Sequence, residues 1–175
     1  MKSNFKLMAS YNQWMNEKMY EVASGLSAEE LEKDRGVFFG SIVGTLNHIL
    51  VGDIIWLKRF SSHETVFTSL DYVRDMDVPV SLNVILHPTL SSLSEARIKL
   101  DNVIVQFSSE LTDHDISSSL AYKNTKDQPF TKNFGFLLQH FFNHQTHHRG
   151  QVSALLSQVG ADIGVTDFLM SIPDE

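Results

Sequence analysis

The stretch FGFLLQHFFNHQTHHRGQVSALLSQVG, from Phe134 to Gly160, decides the fold of this chain. Its apolar residues recur at intervals of three and four, which predicts one long helix from about Asn133 to Val159. Gly160 follows the last apolar position and is typical of a helix end. The apolar stripe of this helix consists of Phe134, Leu137, Leu138, Phe141, Val152, Leu155, Leu156 and Val159.

This helix carries almost no charge, since Arg149 is the only formally charged residue between Lys132 and Asp162. A solvated helix normally has a charged face, so we expect this one to be largely enclosed by other parts of the protein.

Small residues lie opposite its apolar stripe. We expect another helix to pack closely on them, either from the same bundle or from a second copy of the chain. These small residues are Thr146, Gly150, Ser153 and Ser157.

Four of the chain's eight histidines lie in this helix, and helical geometry separates them by direction. With an advance of about 100° per residue, His148 falls inside the apolar stripe and His144 on its edge. His140 and His147 fall outside the stripe on the same count. Residues four apart stack with Cβ atoms roughly 5–6 Å apart, so two imidazoles there can bind one metal ion. We therefore interpret His144 and His148 as metal ligands, against the alternative of hydrogen-bonded core residues.

A third ligand must come from another helix, and the second long helix offers two candidates. This helix is predicted from a cap at Ser41 to about Phe60. Its apolar stripe has Asp53 in the middle and His48 on the flank, so spacing slightly favours Asp53 and leaves His48 as the alternative. Gly52 lies one turn from His48 and leaves room for a substrate or a neighbouring backbone. The other histidines, which lie in loop-like stretches and are expected to be solvated, are His63, His87 and His114.

The whole pattern predicts an all-α fold, an up-down-down-up four-helix bundle in one domain over residues 1–175. Alternating residues and turn chemistry around residues 124–128 predict a small hairpin or loop insertion before the last helix. Metal sites in such bundles lie in the core, between facing helices. The remaining predicted segments are a first helix from about Asn4 to Ser24, a long crossover from Ser61 to Pro88, and a third helix from about Leu90 to Leu111.

Composition excludes several classes of protein. The 175 residues include no cysteine, so a metal must be held by nitrogen and oxygen ligands. A net charge of −7 argues against nucleic acid as a partner. The most apolar stretch, residues 41–60, contains Asn47, His48 and Asp53 and is interpreted as a buried helix, not a membrane span. We expect a cytoplasmic protein without membrane partners.

Three segments resemble the DinB-like (DinB/YfiT-like) family of bacterial proteins. YNQWMNE, GTLNHILVGDIIWLKRF and HFFNHQTHHRGQVSALL keep that family's order and approximate spacing, and NHxxHHRGQ with an upstream LNH is its signature. The resemblance implies a helical bundle, often dimeric, that holds a divalent ion such as zinc, nickel or iron by three histidines. At the matching positions these are His48, His144 and His148, which leaves Asp53 as a neighbouring or structural residue.

The resemblance also implies a class of chemistry, since related families use such centres with low-molecular-weight thiols in transferase or isomerase reactions. We expect a homodimeric, metal-dependent thiol transferase or hydrolase with a small-molecule substrate, because three protein ligands leave coordination positions open. The alternatives are a metal-binding stress or sensor protein without turnover, and a bundle whose histidines bind nothing. Tyr11, Asp53 and Arg149 are available acid–base groups, although packing, capping or surface charge explains each more simply.

Overall fold

The computed structural model describes residues 2–174 and is mostly helical, with one small two-stranded sheet. Within these residues, none of the helices combines the length and apolar character needed to cross a membrane. The helices are α1 (Lys2–Ala23), α2 (Ala28–Glu32), α3 (Ile42–Phe60), α4 (Asp71–Arg74), α5 (Leu90–Glu110), α6 (Asp113–Ser117) and α7 (Phe134–Gln158), and the strands are β1 (Ser119–Lys123) and β2 (Pro129–Asn133).

Side-chain caps set the start of three of the four long helices. Ser41, Thr89 and Asn133 each accept a hydrogen bond from a backbone N–H in the first turn, of α3, α5 and α7 respectively. Such bonds satisfy N–H groups that have no partner within the helix. Beyond α7, Gly160 has φ +77°, in the left-handed region that glycine adopts without a steric penalty. The predicted cap at Ser41 and end at Gly160 are confirmed.

The four long helices pack against one another around one apolar core. α1 lies against α5 and α7, and α3 lies against α7 and α5. At the end of α3, the buried Phe60 ring contacts the rings of Phe107, Phe134 and Phe141, with centroids 5.3–5.9 Å apart. This aromatic cluster ties the C-terminal half of α3 to α5 and α7.

The predicted hairpin is confirmed and leads directly into α7. β1 and β2 are antiparallel, with pairs running from Ser119–Asn133 to Lys123–Pro129. Asn124 closes the turn, because its side-chain oxygen accepts from the backbone N–H groups of residues 126 and 128. The last residue of β2 is also the cap of α7, so the hairpin is held in a fixed position beside that helix.

The long crossover between α3 and α5 folds back onto α3. The Asn47 side chain exchanges two hydrogen bonds with the backbone of His87, at 2.9 and 3.0 Å. Lys58 donates to the backbone carbonyls of Val73 and Arg74, at 3.1 and 2.9 Å. This segment also contains the short helix α4.

The prediction that His63 is solvated is wrong. Its ring stacks on Phe134 with centroids 4.5 Å apart, and its side chain is buried. Nδ1 accepts a hydrogen bond from the Thr65 N–H at 3.0 Å, so Nε2 carries the proton and donates to Ser118 Oγ at 2.7 Å. Both ring nitrogens therefore have partners, which makes the buried ring stable.

The expectation that α7 is largely enclosed is wrong for one face. Thr146, Gly150 and Ser157 are exposed, and a Cβ added to Gly150 would meet no atom within 4 Å. No helix from the described part of the chain packs on this face. The expectation of such a helix from the same bundle is therefore wrong, and a second copy of the chain there stays a prediction.

Replacement of Gly150 by alanine tests this open face. We expect Gly150→Ala to raise the free energy of unfolding by up to about 1 kcal/mol, because alanine favours a helix interior over glycine. Urea denaturation followed by circular dichroism measures the change. A clear loss of stability would contradict the expectation and indicate that another backbone lies close to this position.

Candidate metal centre

Three histidine side chains converge between α3 and α7. His48 Nε2 lies 3.2 Å from His144 Nε2 and 3.1 Å from His148 Nε2. Two nitrogens that bind one tetrahedral ion at roughly 2.0–2.1 Å each lie about 3.3–3.4 Å apart. The observed spacing fits that arrangement, and the cluster can hold one metal ion.

The second ring nitrogens show where the protons lie. His48 Nδ1 is 2.8 Å from the carbonyl oxygen of Leu82, and His148 Nδ1 is 2.7 Å from Gln151 Oε1. Both oxygens only accept, so each Nδ1 carries a proton and donates it. In a neutral imidazole the Nε2 atom then has a lone pair. The two lone pairs face each other at 3.1 Å, an arrangement that a cation between them stabilises.

Burial keeps these rings neutral. Loss of solvent lowers the pKa of His48, His144 and His148, and that of His144 falls to about 3 because the other two rings also lie close to it. Only the neutral imidazole can bind a metal ion. The Nε2 lone pairs can therefore bind a cation at neutral pH without the prior loss of a proton.

Gly52 lets the two helices approach closely enough for the rings to meet. A Cβ at this position would lie 2.6 Å from Cε1 of His144, well inside van der Waals contact. The room that the sequence indicated beside His48 is thus occupied by the His144 ring. A larger residue at this position would require the His144 ring to shift.

Comparison with known proteins places this arrangement in a family. The sequence profile of the DinB family matches residues 1–174. The chain belongs to the DinB family. Protein DinB of Bacillus subtilis (strain 168) is 24% identical over 164 residues, which cover 94% of this chain and 90% of that protein. The crystal structure of a DinB-like protein from Bacillus cereus ATCC 10987 has a TM-score of 0.60 at 21% identity, over 93% of this chain and 95% of that one; this likeness shows the fold.

In this DinB-family protein Asp53 points away from the histidines. The residue spacing in α3 slightly favoured Asp53 over His48 as the third metal ligand, and that preference is wrong. Asp53 is fully buried, and its Oδ2 accepts a hydrogen bond from Arg97 Nη1 of α5 at 2.6 Å. Burial raises the pKa of Asp53, while Arg97 lowers it. The carboxylate is one residue further along α3 than Gly52 and lies near Arg97 of α5 and Gln145 of α7, outside the histidine cluster.

Asp53 belongs to a buried polar network that connects all four long helices. Arg97 also pairs with Asp101, Nη2 to Oδ1 at 3.0 Å. Asp101 accepts hydrogen bonds from Asn12 at 3.2 Å and from Asn16 at 2.9 Å, both in α1. We call Asn12, Asn16, Asp53, Arg97, Asp101 and Arg149 the core polar network.

Arg149 connects α7 to this network, so the interpretation of Arg149 as a surface charge is wrong. Its side chain is buried, with the residue only 4% exposed, and its Nη1 donates to Asn12 Oδ1. Asn12 and Asn16 therefore bond to charged groups and not to the histidines. Tyr11 donates to the Thr166 carbonyl at 2.5 Å, which agrees with a packing role.

Phe39 covers one side of the centre, and sequence analysis missed it. Its ring stacks on His48 with centroids 3.7 Å apart and meets the edge of His148 at 5.5 Å. The residue lies in the turn between α2 and α3, closed by the bridge between Val37 and Gly40. The sequence did contain a signal for this turn, since Phe38 and Phe39 lie between Gly36 and Gly40.

The remaining histidines of α7 lie outside the cluster, as their directions predicted. His147 is exposed and contacts the edge of the His148 ring, with centroids 4.8 Å apart. His140 lies one turn before His144, with ring centroids 6.3 Å apart, and packs against Trp56 at 5.0 Å.

The close contact at Gly52 predicts a specific loss of metal affinity. We expect Gly52→Ala to weaken zinc binding by about 10- to 100-fold, the size of effect seen when residues that orient metal ligands are changed. Competition with a chromophoric chelator measures the dissociation constant. Gly150→Ala is the matched control, since it makes the same change in an open position and should leave affinity unchanged. Equal affinity in both variants would contradict this account of Gly52.

The lowered pKa of His144 predicts how stability depends on pH in the metal-free protein. Below about pH 6.5 the unfolded chain takes up a proton at this residue, while the folded state stays neutral until about pH 3. The unfolded state then binds more protons, so the free energy of unfolding falls as the pH falls through this window. Urea denaturation between pH 7.5 and 4.5 measures the slope. His144→Leu should make the slope shallower, and parallel profiles would contradict the prediction.

Proposed function

We propose that this protein is a divalent-metal-dependent enzyme whose ion is bound by His48, His144 and His148. One observation carries the proposal. The Nδ1 atoms of His48 and His148 donate to the Leu82 carbonyl and to Gln151 Oε1, and their Nε2 atoms lie 3.1 Å apart, facing a common position. Imidazole ligands suit zinc, nickel and iron(II). Membership of the DinB family and the spacing of the rings both support the assignment.

The residues around the centre have distinct tasks in this proposal. The Leu82 carbonyl and the Gln151 side chain fix the rings of His48 and His148, and Phe39 keeps water from one side. Within residues 2–174 the cluster has three histidine ligands, which leaves coordination positions for other molecules. The chemistry that such an ion supplies is Lewis-acid activation of a water or of a thiol.

We assign the reaction to the thiol-dependent transferase or hydrolase class, with a small-molecule substrate and a low-molecular-weight thiol as the partner. Neutral ligands favour this class, because an ion with three imidazoles keeps its full positive charge to stabilise a thiolate or hydroxide. We also propose that the four long helices form an up-down-down-up bundle in one domain over residues 1–175. The proposed working form is a cytoplasmic homodimer.

Metal content and activity of matched histidine variants test the proposal. Protein purified without a histidine tag should contain about one equivalent of metal per chain, and His48→Ala, His144→Ala and His148→Ala should each lose most of it. His140→Ala and His147→Ala are the controls, because they remove histidines from the same helix but outside the cluster. Elemental analysis measures the content of all five.

Turnover is then measured with cysteine or glutathione and an electrophilic acceptor, and separately with ester and amide substrates. Activity should follow metal content across the three cluster variants and the His147→Ala control. Full activity in a protein that lacks both His144 and His148 would overturn the enzymatic assignment. Metal binding without turnover in any screen would instead support a stress or sensor protein.

A further inference from the structure

A cleft of about 670 Å³ lies beside the centre, enclosed by α3, the hairpin and the start of α7. Its size is within the range of roughly 300–1,000 Å³ that is typical of small-molecule sites. Trp56, Tyr122 and Phe136 form its aromatic walls, and Lys132 and His140 lie at its edges. None of these residues belongs to the histidine centre, so the cleft is a separate feature.

The walls of the cleft expose aromatic surface. Trp56 meets Tyr122 with ring centroids 5.5 Å apart and His140 with centroids 5.0 Å apart, both at steep angles. Phe136 is 74% exposed although it lies in the first turn of a long helix. Trp56 and Tyr122 are partly buried, and aromatic side chains that are partly or fully exposed around one cavity indicate an apolar ligand.

The charge around the cleft is positive in a protein whose net charge is −7. Lys132 lines the cleft, and none of its lining residues carries a carboxylate. The Arg59 guanidinium lies 4.6 Å from the Trp56 ring centroid and 5.2 Å from that of Tyr122, next to the same walls. The cleft therefore complements an aromatic molecule that carries an anionic group.

Two rows of side chains lead from the centre to the cleft. On α3 the row is His48, Gly52 and Trp56, and on α7 it runs in the opposite direction through His144 and His140. His144 fills the gap at Gly52, and His140 packs on Trp56. Because residues four apart share one face of a helix, the cleft and the histidine centre lie along the same face of α3 and the same face of α7.

We propose that this cleft binds the aromatic part of an anionic small-molecule substrate, whose anionic group pairs with Lys132 and whose reactive end faces the histidine centre past His140. The last part rests on the proposed function. Binding in the cleft does not, since Trp56, Tyr122 and Lys132 are independent of the metal.

Equilibrium titration with four probes tests the chemistry of the site. 2-Naphthoate and 2-naphthyl phosphate carry an aromatic body and an anion, 2-naphthamide lacks the charge, and cyclohexanecarboxylate lacks the aromatic ring. We expect saturable binding of at least one naphthyl anion, and binding of the amide and of the cyclohexane acid about fivefold weaker or more. The carboxylate and phosphate arms show which anion the cleft prefers. Equal binding of the amide and the anions, or no binding of either anion, would overturn the proposal.

Matched variants locate the binding. Trp56→Leu should weaken naphthoate binding about tenfold and Lys132→Gln about two- to fivefold, while Trp56→Phe should retain most of it. Tyr72→Leu and Lys126→Gln are the controls, because they change an exposed tyrosine and an exposed hairpin lysine outside the cleft. Lys132 is exposed, so its variant reports on the cleft even if Trp56→Leu fails to fold. Unchanged affinity in Lys132→Gln and in folded Trp56→Leu, or an equal loss in the two controls, would place the ligand elsewhere.

Two further measurements separate this proposal from the proposed function. A protein with both His144→Ala and His148→Ala should still bind naphthoate, which shows that the cleft stands without the metal. In cobalt(II)-loaded protein, nuclear magnetic relaxation of the naphthoate ring protons should be strongly enhanced. If naphthoate binds but the relaxation of its protons is not enhanced, the cleft is a binding site that is not directed towards the histidine centre. If the double variant no longer binds naphthoate, the cleft is not an independent site and the proposal is wrong.

Discussion

The buried pairing of Arg97 with Asp53 and Asp101 is the interaction on which the rest of the structure depends. All three residues are almost completely removed from solvent. Charges in such a place are costly unless each finds its partner, and removal of one partner typically costs about 3–5 kcal/mol. Since Asp53 is in α3 and the other two are in α5, only one alignment of these helices satisfies the charges. Asn12 and Asn16 extend the same requirement to α1, and Arg149 extends it to α7.

The histidine centre is built directly on this alignment. Asp53 is adjacent to Gly52, the residue that the His144 ring touches, and Arg149 is adjacent to His148. Each ligand-bearing helix is therefore fixed by a residue next to its part of the centre. The rings meet because the charges behind them allow little movement along or around either helix axis. A metal ion held by the three histidines would join α3 to α7 across the same interface.

Sequence patterns predicted part of the fold and of the candidate site, while several of the contacts that position the site have no signature in the sequence. The direction of His144 and His148 followed from the stripe of α7, and the hairpin followed from its alternation and its turn. In α3, by contrast, nearly every residue is buried, so the stripe gave no reliable inward direction and favoured Asp53. Arg97 and Asp101 are four apart, as in an ordinary exposed ion pair, and only tertiary packing shows that they are buried. The Leu82 carbonyl that orients His48 is a backbone group, and no residue type signals such a contact.

Asn133 is both the last residue of β2 and the cap of α7, and this double role has a consequence for how the protein can change. The strand ends of the hairpin are fixed to the helix, while its tip at residues 124–128 touches neither the core polar network nor the three histidines. Insertions or deletions at the tip would reshape the wall beside Trp56 and leave the centre intact. The hairpin is thus a part of the fold whose length can vary without moving the three histidines.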